Sequence, residues 1–79
     1  MGTTETFRQR VAAEVRAEMA RQKKTGVGLA KVLRCSQQSA SRRLVSGQGL
    51  DLDDLPLIAE WLDVSVVDLI SPGGRKDAA

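Results

Sequence analysis

The chain has 79 residues, 42% hydrophobic and 28% charged, the make-up of one globular domain rather than of a disordered segment. A single cysteine excludes an internal disulfide, and the absence of histidine removes the common zinc ligand and the usual acid–base shuttle, so no enzyme, metal site or cofactor is expected. The net charge of +2 conceals a division: residues 1–49 hold ten basic and three acidic side chains, a balance of +7, while residues 50–79 hold two basic and seven acidic, a balance of −5.

A first helix is expected after Thr3 or Thr4, either of which can cap it, with Glu5 near its positive end. Phe7, Val11, Val15 and Met19 recur every four residues and form one apolar stripe, and Lys23-Lys24 close the helix at its negative end. Thr25 caps a second helix that runs to about Arg34. Gly26 and Gly28 fall in its first turn, where glycine weakens a helix. The pair lacks the preceding strand, third glycine and lysine of a nucleotide-binding loop.

Ser36 caps a third helix, which ends at Gly47. It keeps Ala40 and Leu44 for packing and turns Gln37, Gln38, Ser39, Ser41 and Arg42 outward. Amides and guanidiniums are the groups that pair with the edges of adenine and guanine in the major groove. Asp51 or Asp53 caps a fourth helix, with Pro56 in its first turn and Leu55, Ile58, Ala59 and Leu62 at helical spacing beside Trp61. Ser65 and Asp68 have the spacing of a capping box for a short fifth helix carrying Val66, Leu69 and Ile70. Pro72-Gly73-Gly74 ends the pattern, so residues 1–71 read as an all-α domain and 72–79 as a flexible C-terminal tail.

No apolar run approaches the roughly 18 residues of a membrane span, and the start MGTTETFRQR has no signal-peptide core, so a cytoplasmic protein without a membrane partner is expected. Two aromatics, Phe7 and Trp61, are too few for the stacking surface of single-strand binders.

Over Val15 to Ile70 the ordered set Leu29-Ala30, Leu33, Cys35-Ser36, Ser41, Gly47, Leu55, Ile58-Ala59, Leu62, Val64-Ser65 and Leu69 resembles the lambda-repressor-like (Cro/C1, XRE) helix-turn-helix family. Three departures stand out. Arg34 occupies the turn position where the family commonly has glycine, Gly26 replaces a polar residue, and the third helix is one residue longer before Gly47.

The resemblance implies a five-helix domain whose third helix enters the major groove of double-stranded DNA. It implies base reading by Gln37, Gln38, Ser41 and Arg42 with Ser39 nearby, and phosphate contacts from Lys24, Thr25, Lys31, Arg43 and Gln48. It also implies a weak homodimer through the C-terminal part, with Trp61, Val66 and Ile70 as contacts. The expected function is a small repressor of phage Cro or bacterial type, with no small-molecule ligand. The alternative is a protein-binding module on the same fold, such as an antitoxin or a phage factor that captures a host protein.

Overall fold

The computed structural model describes residues 6–70. These form α1 (Phe7–Gln22), α2 (Gly26–Leu33), α3 (Gln37–Ser46), α4 (Asp54–Leu62) and α5 (Val66–Ile70), with no strand among the described residues. The expected tail at 72–79 lies outside them, as do Thr3, Thr4 and Glu5.

The start of α1 corrects the expected caps. The N-cap is Thr6, not Thr3 or Thr4. The Gln9 amide N–H donates to Thr6 Oγ1 at 3.1 Å, and the Thr6 N–H donates back to Gln9 Oε1 at 2.8 Å. Of the three threonines only Thr6 has a glutamine three residues on, so only there do two terminal N–H groups find acceptors reciprocally.

At α4 the N-cap is Asp53, one of the two expected. It holds that position without using its carboxylate. Asp54 Oδ2 instead accepts from the Asp51 N–H at 3.0 Å, and Asp54 is the first helical residue, where a negative charge suits the helix dipole. Pro56 follows inside the first turn, where its missing N–H leaves no bond unmade. The Ser65–Asp68 capping box forms as expected, with both bonds at 3.2 Å.

Three helices stop in the same way without glycine. Lys23, Arg34 and Asp63 have φ of 58°, 56° and 59°. Each donates its N–H three residues back, to Ala20, Lys31 and Glu60, while the following N–H reaches five residues back, to Met19, Ala30 and Ala59. This paired closure satisfies the carbonyls of the last turn and reverses the chain tightly. A side chain in the left-handed region carries a steric cost that glycine avoids.

The core draws Val11, Val15 and Met19 from α1, Leu29 from α2, Ala40 from α3, Ile58 and Leu62 from α4, and Leu69 from α5. α1 packs on α3, α4 and α5, and α2 packs on α3 and α4. Phe7 departs from the expected stripe: it is 49% exposed, with the Arg10 guanidinium 5.6 Å from its ring centroid. Glu18 is buried instead, accepting from Arg21 Nη2 at 2.7 Å and Gln22 Nε2 at 2.8 Å. Gln22 Nε2 also donates to the Leu62 carbonyl at 2.6 Å, tying the end of α1 to the end of α4. Desolvating a carboxylate is unfavourable unless such bonds replace its water.

Candidate nucleic-acid interface

α3 is held from behind. Ala40 is fully buried, and Leu44 packs against the core. At the C-terminal end, Arg16 of α1 donates through Nη1 to the Leu44 carbonyl and to the Val45 carbonyl at 3.4 Å. These are carbonyls of the last turn, which the helix itself leaves without partners, and the guanidinium also meets the negative end of the dipole. Gly47 terminates the helix with φ 77°, and a Cβ there would lie 2.5 Å from the Arg8 carbonyl oxygen. Glycine is required at this point by both torsion and space.

With its back fixed, α3 presents Gln37, Gln38, Ser41 and Arg42 to solvent, with Ser39 half-buried at the edge. None of these five side chains makes a hydrogen bond or ion pair among the described residues, so their polar heads remain available. No acidic residue occurs between Thr25 and Leu50, whereas Lys31, Arg34, Arg42 and Arg43 do. The unit formed by α2, the turn at Arg34–Ser36 and α3 is therefore uniformly positive in formal charge.

The expected phosphate-contact residues divide into two groups. Lys31, Thr25 and Gln48 are exposed. Thr25 caps α2 by accepting from the Gly28 N–H at 3.4 Å, as expected, and keeps its hydroxyl proton for an external acceptor. Lys24 and Arg43 are partly engaged inside the protein. Lys24 Nζ lies 5.1 Å from the Trp61 ring centroid. Arg43 Nη1 meets Asp54 Oδ2 at 3.4 Å, with both side chains largely buried, and so links α3 to the start of α4.

The two glycines of α2 have unlike surroundings. Nothing lies within 4 Å of a Cβ built on Gly26, so the backbone at this helix start is open to an approaching group. A Cβ on Gly28 would lie 2.8 Å from Trp61 Cζ2. Gly28 is therefore the seat of the indole, and Lys24 lies over the same ring. Neither contact was legible from the sequence, because Trp61 is thirty-three residues away from Gly28.

The expected dimer contacts Trp61, Val66 and Ile70 are all partly buried and packed against the protein's own core. The exposed large apolar side chains among the described residues are Phe7, Val27, Val45, Leu52, Leu57 and Val67, the last of them in α5. Leu52, 79% exposed, and Phe7 flank a groove of about 440 Å³ floored by Val11, Leu50 and Leu55 and edged by Arg8, Asp51 and Asp53. Among the described residues no cluster of metal-ligating side chains occurs, and no helix is long and apolar enough to cross a membrane. No protein-family model, curated protein or solved structure matches this chain.

Proposed function

We propose that this chain is a sequence-specific double-stranded DNA-binding regulator of the lambda-repressor-like helix-turn-helix kind. In this reading α3 lies in the major groove and acts as a small repressor's recognition helix. The observation that carries it is the outward face of α3: two glutamines, serines and an arginine, whose side chains make no hydrogen bond or ion pair among the described residues, on a helix whose reverse side is fixed. Gln37 and Gln38 suit adenine, which offers a donor and an acceptor, and Arg42 suits guanine, which offers two acceptors. Lys31, Thr25, Gln48 and the open start of α2 at Gly26 hold the sugar–phosphate backbone. Lys24 joins them by leaving the indole, and Arg43 serves mainly to join α3 to α4.

Selection of bound duplexes from a random pool, followed by titration at two salt concentrations, tests the proposal. Arg42→Ala is expected to relax base preference at one position. Lys31→Ala is expected to weaken all duplexes alike and to lower the salt slope by about 1. Equal losses on every sequence for both variants refute the assigned roles.

A second reading, a protein-binding module, draws on the groove between Phe7 and Leu52. Its exposed apolar walls and the carboxylates of Asp51 and Asp53 suit a partner segment with an apolar side chain next to a basic one. Retention of a partner after nuclease treatment, lost in Leu52→Asp, separates this reading from the first.

A further inference from the structure

The outward face of α3 carries one apolar side chain that the base-reading set leaves out. Val45 is 70% exposed. At 100° per residue it lies about 20° around the helix from Gln38, between the directions of Ser41 and Arg42. It therefore points in the same direction as the polar readers, in the last turn of the helix, one turn beyond Ser41 and Arg42.

Nothing in the folding of α3 calls for a valine there. A β-branched residue is a poorer helix former than alanine, and at this exposure its methyl groups contribute little burial. The contacts that place this turn involve the backbone: Arg16 Nη1 donates to the carbonyls of Leu44 and Val45. The backbone at Val45 is fixed while its isopropyl group faces outward beside the polar readers.

The major groove offers one apolar group on its base edges, the C5 methyl of thymine. We propose that Val45 is a specificity-determining residue that reads a thymine methyl, in an operator whose neighbouring bases are read by Gln38, Ser41 and Arg42. The inference rests on the DNA-binding reading above and adds to it a base identity and the chemical group that signals it. Contact between the isopropyl group and the methyl removes both from water, and one methyl-sized group so buried corresponds to about a fourfold change in affinity.

The test uses a duplex recovered by selection, with each thymine replaced in turn by deoxyuridine, which lacks only the methyl. All titrations are done at one ionic strength. Wild-type protein is expected to lose about fourfold at one thymine position, or at its symmetry-related pair, and to be indifferent at the others. Val45→Ala, which leaves the core untouched and, alanine being the better helix former, does not lower the Tm, is expected to bind the thymine duplex about fourfold more weakly. It should no longer distinguish thymine from uracil at that position. Indifference of the wild type to every replacement overturns the inference while leaving DNA binding intact. So does a Val45→Ala protein that still discriminates there. If no duplex is enriched at all, the parent reading falls and the inference with it.

Discussion

The same substitution two residues apart in α2 is expected to have opposite effects. Alanine is favoured over glycine inside a helix by about 0.5–1 kcal/mol. At Gly26, the first residue of α2, the new methyl meets nothing within 4 Å, so Gly26→Ala gains the lower end of that preference, about 0.5 kcal/mol, and stabilises the domain. At Gly28 the methyl would lie 2.8 Å from Trp61 Cζ2, against a carbon–carbon optimum of about 3.5 Å, so the indole must retreat by about 0.7 Å. Overpacking of this kind costs about 1–3 kcal/mol, and moving the ring also disturbs the Lys24 ammonium 5.1 Å from its centroid. Gly28→Ala is therefore expected to lose about 1 kcal/mol net. For a domain of this size 1 kcal/mol is about 4–8 °C in Tm, which separates the two variants by roughly 6–12 °C. Thermal melts followed by circular dichroism measure the difference. Because the chain has one tryptophan and no tyrosine, indole emission reports the displacement directly, with a red shift in Gly28→Ala alone. Trp61→Leu should make the two alanine substitutions behave alike, since it removes the contact that distinguishes them. If both single variants shift Tm in the same direction, or if Gly28→Ala leaves emission unchanged, the assignment of Gly28 as the seat of the indole is refuted.

Gly47→Ala is expected to cost more than 2 kcal/mol, because its Cβ meets the Arg8 backbone at 2.5 Å and its φ of 77° is left-handed; urea unfolding with an unchanged m-value would show the loss. Arg34→Gly is expected to raise stability by about 0.5–1 kcal/mol by relieving the left-handed conformation at φ 56°, a gain reduced by the freer unfolded chain and visible as a higher Tm.

What could be read in advance was what depends on neighbours along the chain. Thr25, Ser36, Gly47 and the Ser65–Asp68 pair are each recognised by residues within a turn of them, and all form as expected. Thr6 wins over Thr3 and Thr4 through a second bond, in which its own N–H donates to Gln9 Oε1. What could not be read was set by distant partners. Glu18 is buried by Arg21 and Gln22 together with the end of α4, and an apolar periodicity does not mark a carboxylate as interior. Phe7, at the end of the stripe, leaves the core for the exposed groove beside Leu52. The seat of Trp61 above a glycine in α2 becomes visible only once the helices are placed. For the α3 face, helical spacing sufficed to sort outward from inward. It did not reveal that Arg43 meets Asp54.

The way Arg16 grips α3 separates anchoring from display. The grip is on main-chain oxygens, and the inward packing rests on Ala40 and Leu44, so the outward residues take no part in holding the rod in place. Positions 37, 38, 41, 42 and 45 can thus be exchanged as a cassette at little thermodynamic cost. A lineage built on this scaffold can change its vocabulary without rebuilding its frame.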